Sequence, residues 1–199
     1  MTDHETMQVY AKSAEAYATC FANTKDIDQE ADLVAFQAKI PIGGRVLDLG
    51  CGPGQWADRL LKAGLVVDAM DASPEMAALT KMKFGIDVQI ASFEDLTVAN
   101  HYDGIWANFS LLHAPRANFS GHLRRIHRAL HPGGTLHIGM KLGTGEARDH
   151  LGRFYAYYGE EELRTLLTEA SFTVTRTRLG NGKGLAGSDD TFVVMTAHG

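Results

Sequence analysis

The chain has 199 residues, of which 45% are hydrophobic and 22% are charged, and its formal net charge is −5. This length suits one domain with a substantial core, and the composition is that of a globular protein, which excludes a disordered or fibrous chain. The negative charge argues against a broad electrostatic contact with nucleic acid or an anionic membrane, and favours small-molecule partners.

Two further features bear on the cellular compartment. The segment Met1-Thr-Asp-His-Glu5 lacks a basic stretch followed by an apolar one, and no run approaches the ~20 apolar residues of a membrane span. The two cysteines, Cys20 and Cys51, are too few for a disulfide framework. We therefore expect a cytoplasmic protein that is not attached to a membrane.

The first 39 residues have a helical pattern, in which apolar side chains recur at steps of three and four. A break over 23–28 divides this pattern into two helices, which we expect to form a cap. The two apolar stripes consist of Met7, Tyr10, Ala14, Tyr17 and Ala18, and of Ile27, Leu33, Val34 and Phe36.

From residue 45 onwards strand and helix patterns alternate, which is typical of a parallel sheet covered on both faces. We predict strands near 45–49, 66–70, 87–91, 103–107, 134–140, 172–179 and 190–197, and helices near 54–63, 74–82, 118–130 and 160–170. The last two strands have no helix between them, so they should pair antiparallel. The prediction is one domain over 1–199, with a helical cap over 1–39 and a core over 40–199.

The segment Arg45-Val-Leu-Asp-Leu-Gly-Cys-Gly-Pro-Gly54 is a buried strand that runs into a glycine-rich turn. Glycine lacks the Cβ atom that would keep a ligand away from the backbone. The spacing G-x-G-x-G differs from the G-x-G-x-x-G of dinucleotide folds and from phosphate loops. A nucleoside ligand without a pyrophosphate fits this turn better.

A second apolar strand, within 65–71, ends in the carboxylate Asp71, about 20 residues after Gly50, the separation at which a neighbouring parallel strand presents an acid to a ribose. The alternative role for Asp71 is to cap the following helix. Ser73-Pro74 provides a more typical helix start. The spacing therefore favours a ribose contact.

With these two motifs the chain resembles the class I S-adenosylmethionine-dependent methyltransferases. VLDLGCGPG is similar to their first motif and VVDAMDAS to their ribose-binding motif. The resemblance spans roughly residues 40–197. It implies a Rossmann-like α/β fold with a doubly wound seven-stranded sheet ordered 3-2-1-4-5-7-6. It also implies S-adenosylmethionine as cofactor and methyl transfer to a small-molecule nucleophile by in-line displacement.

The resemblance assigns a set of cofactor contacts to this chain. Met76 would either lie on the adenine or fill the core. Ser92 stands where the family commonly has an aspartate, so adenine recognition would depend on a hydroxyl, on the Phe93 backbone and on packing. The implied contacts are Asp48, Gly50, Cys51, Gly52, Gly54, Asp71, Ala72, Met76, Ser92, Phe93, Ala107 and Asn108.

Three side chains are candidates for the catalytic centre. His113, alone among the nine histidines, is expected near the carboxyl edge of the sheet, as a base or as a structural histidine at a helix start. Tyr10 and Tyr17 could place a ring against the sulfonium, although each could equally serve packing.

The segment 141–159 is expected to be a long loop that forms the acceptor pocket, because loops of this length are commonly lids or binding segments. Together with residues 1–22 it should form one mobile lid. The candidate acceptor contacts are Lys141, Arg148, Arg153, Tyr155, Tyr157 and Tyr158.

The helix over 118–130 carries three arginines on a face that we interpret as solvated, opposite a buried face of Leu123, Ile126, His127 and Leu130. His127 and His131 are four residues apart, but no third ligand is evident, so no metal site is predicted.

Three other functions remain open at this stage. The same scaffold could bind S-adenosylmethionine or S-adenosylhomocysteine without turnover, because fold does not determine function. A nicotinamide-dependent oxidoreductase is disfavoured by the glycine spacing. A macromolecular acceptor such as tRNA is disfavoured by the acidic charge.

Overall fold

The computed structural model describes residues 3–12, 27–187 and 189–199. Short 3-10 turns, Phe93–Asp95 and Leu111–His113, follow the third and fourth strands. In chain order the helices and strands are α1 (4–12), α2 (Ile27–Gln37), β1 (Arg45–Leu49), α3 (Gln55–Lys62), β2 (Val66–Asp71), α4 (Pro74–Phe84), β3 (Val88–Ile90), β4 (Tyr102–Asn108), α5 (Arg116–Ala129), β5 (Leu130–Lys141), β6 (Glu146–Arg148), β7 (Phe154–Ala156), α6 (Glu160–Glu169), β8 (Thr173–Lys183) and β9 (Asp189–His198).

Seven strands form one sheet in the order β3-β2-β1-β4-β5-β9-β8. The first five are parallel, whereas β9 pairs antiparallel with both β5 and β8. The predicted order 3-2-1-4-5-7-6 is confirmed, because β8 and β9 are the sixth and seventh strands once the separate β6–β7 pair is set aside. The crossover between β1 and β4 brings their carboxyl ends together at one edge.

The segment between β5 and α6 differs from the prediction of a loop. It contains a small antiparallel hairpin in which β6 pairs with β7. Tyr155 and Ala156 of β7 are buried in the main core, so their burial against the domain stabilises this short hairpin. The period-2 signal of three-residue strands is too short to read from sequence.

Helix α1 lies against this hairpin. Arg148 donates two hydrogen bonds to the carboxylate of Asp3, at 2.9 and 2.7 Å. The Thr6 hydroxyl accepts a hydrogen bond of 2.8 Å from the backbone N–H of Phe154. The part of the chain predicted as one lid therefore does come together in residues 3–12 and 146–154, whereas residues 13–22, including Tyr17, lie outside the described residues.

Helix α2 covers one face of the sheet. Leu33 and Phe36 are buried against Val46 and Trp106 in a single cluster. The predicted stripe is wrong at Val34, which is 61% exposed. On a helix, Val34 follows Leu33 by 100° and therefore points away from the sheet.

A buried carboxylate fixes α2 to the edge strand β8. Asp32 is 1% exposed and pairs with both Arg176 and Arg178, of which the Arg178 Nε lies 3.0 Å from Asp32 Oδ2. The free-energy cost of burying this carboxylate is offset by two guanidinium groups, which donate hydrogen bonds to both of its oxygens. The cap is thus attached to the sheet by charge as well as by apolar packing.

Within the described residues, no helix is both long and apolar enough to cross a membrane.

We predict that Asp32→Asn lowers the free energy of unfolding by about 3 kcal/mol, because it leaves two partly buried arginines without their counter-ion. Urea unfolding at pH 7 would measure this loss. The control is Asp28→Asn, since Asp28 is 71% exposed and lies 3.7 Å from Arg178. Equal losses in the two variants would contradict the role given to Asp32.

Candidate functional site

The glycine-rich turn follows β1 at the carboxyl edge of the sheet. Gly50 has φ +74°, and a Cβ added there would lie 2.4 Å from the Cβ of Ser110. A Cβ at Gly54, with φ +82°, would lie 2.4 Å from Thr80. Packing between the turn and the rest of the protein therefore requires glycine at both positions, in addition to the ligand approach inferred from sequence.

Asp71, the last residue of β2, holds the glycine turn in place. Its Oδ2 accepts from the N–H of Gly52 and its Oδ1 accepts from the N–H of Ser73, each at 2.8 Å. The carboxylate also lines a cavity at this edge of the sheet, and each of its oxygens retains a second lone pair. Burial raises the pKa of Asp71, and these backbone hydrogen bonds act in the opposite direction.

Asp48 lies beneath the turn and is 2% exposed. Burial, followed by the negative charge of Asp71, raises its pKa to about 8. Its Oδ2 is buried and has no hydrogen-bond partner among the described residues. In the free protein Asp48 is therefore mainly protonated at neutral pH.

The cavity has a volume of about 390 Å³ and extends along the carboxyl edge of the sheet. Of the residues predicted to contact the cofactor, nine line it: Gly50, Cys51, Gly52, Asp71, Ala72, Met76, Ser92, Phe93 and Asn108. Asp48, Gly54 and Ala107 are not among its lining residues; Ala107 is fully buried behind the wall.

The part of the cavity beside β3 contains Met76, Ser92 and Phe93. Ser92 Oγ is 2.7 Å from Asp95 Oδ2, and the Ser92 N–H also donates to this oxygen. The Ser92 hydroxyl proton is thus already used in a local cap. An aspartate at position 92, the residue that the family commonly has there, would instead face the Asp95 carboxylate and repel it.

His122 was missed by the sequence analysis. It is 2% exposed, lines the cavity and packs edge-on against Phe93 with ring centroids 5.6 Å apart. The buried face of α5 includes His122, whereas His127, placed on that face by the prediction, is only partly buried. The expectation that His113 alone lies at this edge is wrong, because α5 also brings His122 to the cavity.

His113 is partly buried on the opposite side of the cavity. Its Nδ1 lies 2.6 Å from the carbonyl oxygen of Phe154, and its Nε2 lies 2.7 Å from the hydroxyl of Tyr10. A carbonyl can only accept, so Nδ1 carries the ring proton and Nε2 accepts from Tyr10. Burial lowers the pKa of His113 to about 4, and the nearby charges of Arg153 and Lys141 also lower it.

Tyr155 is the centre of the same region. Lys141 Nζ lies 4.0 Å from its ring centroid and Arg153 Cζ lies 5.3 Å from it. Lys141 pairs with Asp190 at 2.7 Å, and Arg153 donates from Nε and Nη2 to Asp149. Arg153 is 2% exposed, and its Nη1 is 3.4 Å from the Tyr10 hydroxyl.

Three of the predicted acceptor contacts do not line the cavity. Arg148 faces α1, where it holds Asp3. Tyr158 is 1% exposed and lies under Arg116, and Tyr157 packs near Tyr155 at a centroid distance of 6.0 Å. Strand alternation would place Tyr155 and Tyr157 on the same face, but β7 ends at Ala156, so Tyr157 does not continue the pattern.

Several cavity residues had no signal in the sequence. Gln29 of α2 reaches the site, where its Oε1 accepts from Asn108 Nδ2 at 3.2 Å. Asp190 and Phe192 come from the start of β9, and Lys183 comes from the end of β8. All of them are distant in sequence from the glycine turn, so only the sheet order could have indicated them.

Among the described residues, no cluster of three or more His, Cys, Asp or Glu side chains could hold a metal ion.

Comparison with known proteins agrees with this geometry. A methyltransferase-domain family matches residues 46–134, which include the glycine turn and Asp71. The 1,6-didemethyltoxoflavin-N1-methyltransferase of Burkholderia thailandensis, solved with 1,6-didemethyltoxoflavin and S-adenosylhomocysteine, is 26% identical with a TM-score of 0.75. That match covers 100% of this chain and 90% of the other. Residues 46–134 thus form a methyltransferase domain, and over its whole length the chain is similar to an S-adenosylmethionine-dependent methyltransferase.

Two further proteins are similar to this chain, one in sequence and one in fold. The ubiquinone biosynthesis O-methyltransferase of Xanthomonas campestris pv. campestris (strain B100) is 31% identical over 114 residues, covering 54% of this chain and 46% of the relative. The chain therefore spans about half the length of this curated relative. The N-methyltransferase NodS of Bradyrhizobium japonicum WM9, solved with S-adenosylhomocysteine, is 17% identical with a TM-score of 0.75, and the match covers 98% of each chain. It shares the fold.

The cofactor of this methyltransferase domain is S-adenosylmethionine, and the residues present fit it. The Asp71 carboxylate suits a pair of ribose hydroxyls, because both of its oxygens can still accept. Met76 and Phe93 provide apolar surface for a base.

We predict that Asp48 makes a contribution to the stability of the free protein that falls as pH rises from 4 to 8, because the folded protein holds the Asp48 proton more tightly than the unfolded chain. The folded pKa of about 8 exceeds the reference value of 3.8, so this stability is present below pH 3.8 and is lost as pH rises through 8. Asp48→Asn should flatten the profile by more than about 1 kcal/mol between pH 5 and 9. Urea unfolding at several pH values would measure this.

The matched control is Asp87→Asn, whose side chain is 89% exposed. A wild-type profile that is unaffected by Asp48→Asn would show that Asp48 ionises normally.

Proposed function

We propose that this chain transfers the sulfonium methyl of S-adenosylmethionine to a small-molecule nucleophile by in-line displacement. The carrying observation is that Asp71 and the glycine turn border the same cavity as the Tyr10, His113 and Tyr155 cluster. One enclosed space can thus hold a nucleoside donor and an acceptor together. The similarity to the Burkholderia N1-methyltransferase over the whole chain supports a small-molecule acceptor.

The cofactor supplies a methyl group that is already electrophilic because of the sulfonium charge. The protein then has to align the acceptor with it and exclude water. We infer that Gly50, Gly52 and Asp71 hold the donor. Met76 and Phe93 then contact its adenine ring. Lys141, Arg153 and Tyr155 contact the acceptor.

His113 acts in this proposal as a positioning residue and not as a general base. Its Nε2 lone pair is used by the Tyr10 hydroxyl, and its lowered pKa makes it a weak proton acceptor. The Nδ1–H bond to Phe154 fixes the ring. The hydrogen-bonded pair keeps the Tyr10 ring, and with it α1, over the cavity.

We infer that α1 and the β6–β7 hairpin form a lid that opens for exchange of donor and acceptor. The contacts of Asp3, Thr6 and Tyr10 hold the closed form described here. Asp3 and Arg148 are partly exposed, with side-chain exposures of 22% and 39%, so this contact can break at modest cost in water.

A non-catalytic S-adenosylmethionine-binding protein is the alternative function on the same scaffold. A screen of small acceptors, with release of S-adenosylhomocysteine as the readout, separates the two. Turnover with any acceptor supports the enzyme. Tight donor binding without turnover across a broad screen would favour the alternative.

We also propose a cytoplasmic location, with residues 40–199 as the catalytic core and 1–39 as its cap. The net charge of −5 supports a partner other than nucleic acid or a membrane surface.

We predict that Asp71→Ala weakens S-adenosylhomocysteine binding by about 1–3 kcal/mol, because it removes charge-assisted hydrogen bonds from a largely buried position. Isothermal titration calorimetry on the folded variant would measure this. Asp68→Ala is the control, since Asp68 lies on the same strand in an ion pair with Arg45. Unchanged affinity in Asp71→Ala would exclude the ribose contact.

We predict that His113→Asn lowers kcat about tenfold without changing the shape of the pH profile between pH 5 and 9, because it loosens Tyr10 but removes no titrating base. The asparagine amide can still donate towards the Phe154 carbonyl. Tyr10→Phe should give a similar kcat. An acidic limb near pH 6.5 that disappears in His113→Asn would show instead that His113 is the base.

A further inference from the structure

The charges that line the cavity are unevenly distributed along the sheet edge. The carboxylates Asp71 and Glu94 belong to the β2 end and to the turn after β3. The cations Lys141 and Lys183 belong to the ends of β5 and β8. Arg153 joins the second group, because it shares the Tyr155 ring with Lys141.

The order of the strands keeps these two groups apart. From β2 to β5 the sheet runs β2-β1-β4-β5, three strand spacings or about 14 Å. The acidic half therefore faces the donor motifs, where the sulfonium compound carries positive charge. The basic half faces the space left for the acceptor.

Each of the three cations has a carboxylate partner, but two of these partners, Asp149 of Arg153 and Asp189 of Lys183, do not line the cavity. Asp3, which does line it, is held by both terminal nitrogens of the Arg148 guanidinium. Asp190 is the lining carboxylate that pairs with a lining cation, Lys141. Among the described lining residues, this half thus has three cations and one carboxylate that pairs with them.

Lys141 and Arg153 are also close enough to act on one ligand. Both lie within contact distance of the Tyr155 ring, so their charges are on the order of 10 Å apart or less, comparable to the screening length in physiological salt. The Lys141 side chain is 12% exposed and that of Arg153 is 2% exposed, so solvent weakens their fields little.

We propose that the acceptor is bound as an anion, a small planar acid whose negative charge is stabilised by Lys141 and Arg153. This inference rests on the proposed methyl transfer and names the substrate class of the same site. Planarity follows from the aromatic walls Tyr155, Phe109 and Phe192, which suit a flat ring.

An anionic acceptor whose charged oxygen is the nucleophile needs no base. That oxygen forms a bond to the methyl carbon while the carbon–sulfur bond breaks and its electron pair stays on sulfur, so no proton is transferred. Where a ring hydroxyl is the nucleophile and the charged oxygen is the anchor, the hydroxyl proton passes to the solvent. The first case agrees with a site in which His113, beside Tyr155, is held by Tyr10 and Phe154.

The test compares matched ligands that differ in charge. Binding of 3,4-dihydroxybenzoate and of 3,4-dihydroxybenzamide to the protein saturated with S-adenosylhomocysteine is measured by calorimetry at pH 7. We expect the acid to bind at least tenfold more tightly than the amide. Lys141→Met should remove most of this preference, and Asp190→Asn, which frees Lys141 from its partner, should increase it.

Lys62→Met is the matched control, because Lys62 is also paired with an aspartate, Asp58, but lies on the exposed face of α3. It changes the net charge equally and should retain the preference for the acid. An acid that binds no better than its amide, whether both bind or neither does, overturns the proposal. So does a preference that Lys62→Met and Lys141→Met reduce equally.

Further measurements identify the nucleophilic oxygen and show whether the acceptor class or the proposed function itself has failed. With turnover, an alkali-labile methyl ester identifies the carboxylate as nucleophile, and a stable ether identifies a ring oxygen with the carboxylate as anchor; both support an anionic acceptor. Failure of S-adenosylhomocysteine to bind the wild type would contradict the proposed function itself. Normal donor binding without a preference for the acid would contradict only the acceptor class.

Discussion

The site depends first on the carboxylate of Asp71, which joins the end of β2 to the glycine turn after β1. Two backbone N–H groups, from Gly52 and Ser73, donate to its two oxygens. The turn cannot move away from β2 without breaking a charge-assisted hydrogen bond in a largely buried position. The same carboxylate faces the cavity, so the group that orders the turn is also the group available to a ligand. Binding and local order are therefore coupled.

Burial of ionisable groups determines the chemistry that the site can perform. Asp48 has a raised pKa and His113 a lowered one, and burial is the main cause of both. Both groups are mainly uncharged at neutral pH in the free protein. The cations Lys141 and Arg153 of the same cavity are each supported by a carboxylate partner. Such a site favours alignment and charge matching over proton transfer.

The two helices of the cap are attached to the domain by different contacts. Helix α2 is fastened to β8 by the buried Asp32 ion pairs and supplies Gln29. Helix α1 is held by hydrogen bonds to the β6–β7 hairpin and by Tyr10, which meets His113. The stronger attachment of α2 and the more exposed attachment of α1 are consistent with a lid in which only α1 and the hairpin move.

The sequence by itself determined the class of fold and the donor half of the site. Strand periodicity, the glycine turn and Asp71 are local signals, and the carboxyl ends of neighbouring parallel strands must meet at one edge. The sequence also pointed to Lys141 and Arg153, but only the tertiary structure decided that they share a cavity with Asp190. These residues come from three separate segments whose meeting depends on the antiparallel insertion of β9 beside β5. It also decided that Tyr155 faces the cavity and Tyr158 does not, and that His113 accepts from Tyr10, because orientation and burial arise from packing between elements distant in sequence.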